Sequence, residues 1–372
     1  MRALTETSAV EPSARLGPPK SNRSAELATG ATPSNGTAAP LRGLRRWADG
    51  AATLLDRCGV LKLQFQQQRA LRILCYHGVC DDELLGEPWL PSYFVGAREF
   101  ARQMEIVARF GPVRPLAEVV ARLAEGEPVE ESTVAITFDD VAACSFTHAR
   151  PILASFGFSA SFYIATNNVS TGRLFNADVL RLLRWRPETI AADRHESVAQ
   201  LAADPGQHKR MTLEQLSRAL DAPERALRAQ LDGPILDTLR SLNWDEVQQL
   251  ARGGHEIGSH TADHVILGPQ GLDIRRRQLR DSVTEIENRL RWRPVGFAYP
   301  NGGPGDFGPT DATLLRALGL QYAVTTRAGF ATGADLFALP RVCIGAGHTP
   351  AGFAMELSGL LDGRRQRQQG WS

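Results

Sequence analysis

Past Arg69 the chain alternates short, apolar, β-prone runs with longer stretches whose apolar positions recur at helical spacing, the signature of β/α units around a largely parallel sheet. Seven runs qualify as strands: residues 72–77, 133–138, 160–164, 255–258, 295–299, 322–325 and 341–344. The clearest helix is predicted over 274–290, where Leu279, Val283, Ile286 and Leu290 share one face and arginines and glutamates cover the other. A second, over 98–110, aligns Phe100, Met104 and Val107, and a third, over 245–252, follows Trp244 and stops at Gly253-Gly254. The stretch 176–242 is helical and charged without a strand-like run, and reads as an insertion or lid between two β/α units. Seven parallel strands closed on themselves make a barrel, in which loops at the C-terminal strand ends carry the chemistry.

The remaining segments lack this alternation. Residues 1–46 are rich in Ala, Pro, Ser, Thr and Gly and are expected to form a disordered tail. Residues 47–68 form a helical lead-in whose apolar part, 51–65, is interrupted by Asp56, Arg57 and Lys62. It falls short of the roughly 20 apolar residues that span a bilayer, so it is expected to dock on its own domain, with a membrane surface as the alternative. The main domain is assigned to 69–350, followed over 351–372 by a C-terminal helix and a basic tail containing Arg364, Arg365 and Arg367, expected to be solvated.

The 372-residue length, with 43% hydrophobic and 22% charged residues, excludes collagen-like, coiled-coil and wholly disordered classes. A formal net charge of +1 removes the bulk electrostatic case for a nucleic-acid partner. Five scattered cysteines without a CxxC pair indicate neither a disulfide framework nor a cysteine zinc site. With no export signal visible, the cytoplasm is the expected location, with at most peripheral contact at the inner membrane face.

Candidate chemistry sits just after strands. The run 133–138 ends in Asp139-Asp140, a pair that also suits a turn or a helix N-cap. The run 255–258 leads into Ser259-His260-Thr261-Ala262-Asp263-His264. In a helical turn, imidazoles four residues apart share one face. With one carboxylate they make a three-ligand catalytic metal set that leaves a position open for water.

At these residues the chain resembles the polysaccharide deacetylases, the chitin and peptidoglycan deacetylase family of carbohydrate esterases. Ile136-Thr137-Phe138-Asp139-Asp140 is similar to the family's first motif, His260-Thr261-Ala262-Asp263-His264 to its second, and Phe297-Ala298-Tyr299-Pro300-Asn301-Gly302 to its third. The resemblance implies a distorted (β/α)7 barrel, here with a helical insertion. It also implies a divalent metal, zinc first, with cobalt, nickel or iron as alternatives, and hydrolysis of N-acetyl groups on an amino-sugar glycan or lipid-linked saccharide, as in exopolysaccharide biosynthesis. Asp140, His260 and His264 would then hold the metal, and Asp139 would be the general base. Tyr299 and Asn301 would serve the oxyanion and substrate, through backbone N–H groups of the Pro-Asn-Gly-Gly turn.

The general acid has two candidates. His77 ends Ile73-Leu74-Cys75-Tyr76-His77, similar to the opening of a circularly permuted branch, and is preferred because it stands at a strand end. His348, after the last strand, is the alternative. The chain departs from the family in three places: Val141-Ala142 replaces the Gly and aromatic that often follow the Asp pair, Ala298 replaces an arginine, and Asn301 stands where a tyrosine is common. The lost cation is assigned to Arg341, for which a salt bridge at the barrel rim is the equal alternative. Two other functions keep the fold: hydrolysis of a formamido sugar or another amide, and glycan binding without catalysis. Retention of Asp139 and the three ligand residues argues against the latter.

Overall fold

The structure, a computed structural model, describes residues 50–189, 195–204 and 206–370. The tail expected over 1–46 lies outside these residues. Strands appear at all seven apolar runs: β1 (Leu71–Tyr76), β2 (Thr133–Phe138), β3 (Ser161–Ile164), β4 (Glu256–Ser259), β5 (Gly296–Ala298), β6 (Tyr322–Val324) and β7 (Val342–Cys343). They pair in parallel in the order β6-β5-β4-β3-β2-β1-β7. The seam between β6 and the approach to β7 is held by Thr325 N–H to Leu339 O at 2.9 Å, Leu339 N–H to Ala323 O at 3.0 Å, and Arg341 N–H to Arg327 O at 2.8 Å. The result is the distorted (β/α)7 barrel.

The strands read as apolar runs because both faces are covered, the outer by helices and the inner by the barrel core. On the outer face Val134, Ile136 and Phe138 join Leu74, Tyr76, Phe162 and Ile164. On the inner face Leu71, Ile73 and Ala135 join Tyr163, Tyr322 and Val324. Two glycines create the space for this interior: a Cβ on Gly258 would enter the Tyr163 ring, and one on Gly296 the Tyr322 ring. The two tyrosine hydroxyls meet at 3.0 Å.

Helices Ala97–Phe110, Trp244–Arg252 and Leu272–Leu290 stand where the periodicity places them. Trp244–Arg252 begins at a reciprocal Asn243/Glu246 capping box. Between β3 and β4 the insertion contributes Asn176–Trp185, His195–Ala203, Leu213–Gln230 and Gly233–Leu239, packed around a separate apolar cluster that includes Val179, Leu183, Leu220 and Leu227. The lead-in is not one helix but two, residues 50–57 and Val60–Gln67, because Gly59 takes a left-handed φ of 74° between them. Leu61 and Phe65 dock in the main core, while Leu54 and Leu63 remain 63% and 55% exposed.

At the C-terminal end, Pro350–Ser358 is followed by Asp362–Gln368. Arg365 is not a solvated charge as expected: it donates to Glu356 at 2.6 Å and to the Cys343 carbonyl at 3.2 Å. Arg72, wholly buried in β1, ties the same region to the barrel through a bidentate pair with Asp362 at 2.7 and 2.8 Å. Among the described residues, no helix is long and apolar enough to cross a membrane.

Candidate active site

Strand register brings the predicted residues to one end of the barrel. Tyr76 pairs with Phe138 and the Asp139 N–H donates to the Tyr76 carbonyl at 2.9 Å, so His77 emerges beside the Asp pair. The His260 N–H donates to the Ile164 carbonyl at 2.9 Å, extending the β3–β4 ladder by one residue and projecting His260 from the next strand but one. Asp140, His260 and His264 each offer a ligand atom, and these three atoms lie within 4.8 Å of one another.

Asp140 Oδ1 is 2.9 Å from His264 Nε2 and 3.4 Å from His260 Nε2, yet it is buried without a hydrogen-bond partner. His260 Nδ1 is 2.6 Å from the Ala298 carbonyl. A carbonyl only accepts, so Nδ1 carries the proton and Nε2 is the ring nitrogen left to face a metal, as in a metal-ligating histidine. Burial would raise the Asp140 carboxyl, but the two imidazoles facing it, His264 foremost, hold it well below the usual range. One carboxylate oxygen facing two imidazole nitrogens calls for a cation among them, and the three residues fit a divalent metal.

The loop that presents the histidines is not the helical turn the spacing suggested. Residues 260–264 are irregular, with Thr261 at φ 65° and His264 at φ 51°, and these left-handed residues still bring the rings to 4.8 Å. The loop is pinned by Gln278, which accepts from the Asp263 N–H at 2.9 Å and donates to its carboxylate at 2.6 Å. Of the seven non-glycine residues with positive φ among the described residues, five lie in the three motif loops: Asp140, Val141, Thr261, His264 and Asn301. Such conformations cost about 1–3 kcal/mol each and concentrate where a site demands them. Val141, at φ 51°, holds without a glycine's freedom the place where the family often has one.

Asp139 is 3% exposed and tilts into the barrel interior. Arg341, fully buried, donates to its two oxygens at 2.7 and 2.6 Å, to Thr137 Oγ1 at 3.1 Å and to the Thr325 carbonyl at 2.9 Å. Arg341 therefore pairs with Asp139 in the barrel interior. Burial alone would raise the Asp139 carboxyl; the Arg341 charge outweighs it and holds it below its ordinary value. Cys75, His77 and Asp139 form a second group with close ligand atoms. The guanidinium already occupies both Asp139 oxygens, so this group is complete without a metal.

His77 is half-buried; burial lowers its pKa, against the pull of Asp140 and Asp139. His348 stands elsewhere. Its N–H donates to Glu99 at 3.0 Å, its Nδ1 is 2.9 Å from the Gly345 carbonyl, and its Nε2 is 3.6 Å from Glu356. The carboxylate of Glu356 raises the His348 pKa, so His348 contributes stability in acid that is lost as pH rises through its raised folded value. We expect His348→Gln to leave turnover unchanged and to cost up to about 1 kcal/mol in urea unfolding at pH 5.5, with the cost fading at alkaline pH. A hundredfold loss of turnover would return His348 to the chemistry.

Tyr299 does not serve the site. Its ring stacks on Phe307 at 3.8 Å, its hydroxyl donates to the Phe337 carbonyl at 3.1 Å, and its N–H donates to the Val324 carbonyl at 3.2 Å. Strand alternation turns it into the core, which corrects the expectation of substrate contact. Asn301, at φ 62°, accepts from Lys209 at 2.6 Å and donates to Asp306 at 2.5 Å. Its side chain thus fixes the loop and ties it to the insertion.

Several neighbours escaped sequence reasoning. Phe175 sets its edge on the His264 ring at 5.1 Å, Tyr93 packs on His77 at 5.0 Å, and Asp178 and Arg181 pair at 2.5 Å. Tyr93 lies in the loop after β1. The other three lie at the start of the insertion, where nothing in the local pattern marks them.

The chain is similar to known proteins in sequence family and in fold. The family model described as polysaccharide deacetylase matches residues 126–323. No curated protein matches the chain in sequence. Among solved structures, the Streptococcus pyogenes deacetylase PplD in complex with acetate is similar over 77% of this chain and 98% of that one, at 18% identity and a TM-score of 0.53. IcaB from Ammonifex degensii is similar over 78% and 97%, at 20% identity and a TM-score of 0.52. BC0361, a polysaccharide deacetylase from Bacillus cereus, is similar over 77% and 69%, at 17% identity and a TM-score of 0.51. At these identities the structural likenesses show the fold.

Proposed function

Because this chain belongs to the polysaccharide deacetylase family, we propose that it is a metal-dependent hydrolase that removes N-acetyl groups from amino sugars in a glycan or lipid-linked saccharide. The observation that carries the reading is the convergence of Asp140, His260 and His264 beside a separate carboxylate, Asp139, locked by Arg341. Asp140, His260 and His264 would hold the metal, with zinc the first candidate for one carboxylate and two imidazoles. When bound, a divalent cation supplies Lewis-acid charge to the acyl carbonyl and favours ionisation of water beside it.

The protein's own groups supply the proton transfers. Asp139 accepts the proton of the attacking water, its geometry fixed by two hydrogen bonds from Arg341. The backbone turn at Asn301 lies three residues beyond Ala298, whose carbonyl orients His260, and offers N–H donors to the oxyanion. His77, across Asp139 from the strand-β2 side, delivers a proton to the nitrogen as the C–N bond breaks. Acetate and a free amine leave.

The experiment incubates purified protein with acetylated chitooligosaccharides and zinc. We expect equal amounts of acetate and free amine. Dialysis against a chelator should remove at least nine-tenths of the activity, and zinc or cobalt should restore it. Saccharide binding without acetate release under metal-replete conditions would overturn the reading.

A further inference from the structure

His77 is oriented differently from the other imidazoles. Among the described residues no hydrogen bond reaches its ring nitrogens, whereas His260 is fixed by the Ala298 carbonyl. What His77 does have is a wall: the Tyr93 ring lies 5.0 Å from it at 59°. The loop after β1 returns to place this wall, as Val79–Cys80 pairs with Val95–Gly96 and the Val95 N–H donates to the Gly78 carbonyl at 2.9 Å. The Phe94 ring fills the space a side chain at Gly78 would need.

Tyr93 is itself held from the insertion. The Arg181 guanidinium carbon is 5.6 Å from the Tyr93 ring centroid, a cation facing the ring. Arg181 in turn bonds Asp178 at 2.5 Å, with the carboxylate 6% and the guanidinium 21% exposed. Both stand on Asn176–Trp185, the helix that begins directly after Phe175, which packs on His264. One helix of the insertion therefore contacts the metal-ligand side of the site and, through Arg181 and Tyr93, the His77 side.

We propose that the Asp178–Arg181 pair is a positioning device for the general acid, fixing Tyr93 as the surface that aims the His77 imidazole at the leaving nitrogen. This rests on the reading of His77 as the acid. A proton donor must be held within fractions of an ångström of its productive position. Packing replaces the hydrogen bond that other histidines use, so the insertion takes part in the chemistry and does more than cover the cleft.

The leaving group provides the test. An amide nitrogen must be protonated to depart, while an aryl alkoxide departs without help, so loss of acid catalysis slows amides far more than aryl esters. Turnover is measured on an acetylated chitooligosaccharide and on 4-nitrophenyl acetate. Tyr93→Leu removes the ring that both His77 and Arg181 face; Arg181→Met removes the clamp. Both should lower kcat on the amide about tenfold, with KM nearly unchanged and a far smaller effect on the ester. Neither should add to the loss caused by His77→Ala.

Should Arg181→Met fail to fold because Asp178 is left buried and unpaired, Tyr93→Leu carries the test alone. Equal losses on amide and ester, a change confined to KM, or full additivity with His77→Ala would overturn the proposal. If His77→Ala itself slows both substrates alike, it is the assignment of the acid that has failed. If His77→Ala is selective for the amide and Tyr93→Leu is not, the clamp alone is refuted.

Discussion

Replacing Asp139 with asparagine is expected to lower turnover on an acetylated chitooligosaccharide by about 10²- to 10⁴-fold, the usual contribution of a general base, while metal content stays at the wild-type level. The expectation follows from a division of labour between adjacent carboxylates. Asp140 turns one oxygen toward two imidazoles, whereas both Asp139 oxygens face the Arg341 guanidinium. The left-handed φ of 63° at Asp140 sends two neighbouring side chains to different tasks. Asparagine keeps the shape but cannot take a proton, and its amide sets one N–H against the guanidinium, so some loss of thermal stability should accompany the loss of activity. Acetate release and elemental analysis of the same preparation decide the matter. A variant within tenfold of wild type would show that another group receives the water's proton, and a variant that loses its metal would make Asp139 a ligand.

How much of this was legible in the sequence depends on whether a residue's role is set locally or by its distant neighbours. The seven strands were visible because a parallel sheet covered on both faces must be written as apolar runs, as in Val134-Ala135-Ile136. The Asp pair, His77 and the two ligand histidines were visible because they follow those runs. Arg341 was found from the absence of a cation at Ala298, although nothing local distinguishes it from Arg72, equally buried and committed to the C-terminal helix pair. Tyr299 was misjudged because motif membership was followed where strand alternation turns the ring inward. The four-residue spacing of His260 and His264 pointed to a helix, but left-handed residues and Gln278 build a loop of equivalent reach. Asp178 and Arg181 were illegible: their place depends on how a helical insertion docks on the barrel, which long-range packing decides.

The buried pair of Arg341 and Asp139 should dominate stability as well as chemistry. Arg341→Met is expected to cost about 3–5 kcal/mol at neutral pH, as when one partner of a buried ion pair is removed. Four hydrogen bonds from the guanidinium disappear, to Asp139 twice, Thr137 and Thr325, and a carboxylate is left in the barrel with no cation beside it. In the wild-type protein burial raises the Asp139 pKa and Arg341 more than reverses this. A carboxyl lowered on folding contributes stability that is present above its unfolded value, roughly 3.9, and is lost as pH falls through the lower folded value. Without Arg341 burial is opposed only by the smaller pull of His260 and His77, so the folded value rises above the wild-type one and Asp139 contributes less stability at neutral pH. The gap between wild type and variant should therefore be widest at neutral pH and narrow toward pH 4. Adding Asp139→Asn to Arg341→Met should recover part of the loss, because the uncompensated charge is gone. Urea unfolding of the four proteins at both pH values measures each term. A single-variant cost below 1 kcal/mol, or a double variant no more stable than Arg341→Met alone, would show that Asp139 does not depend on its arginine.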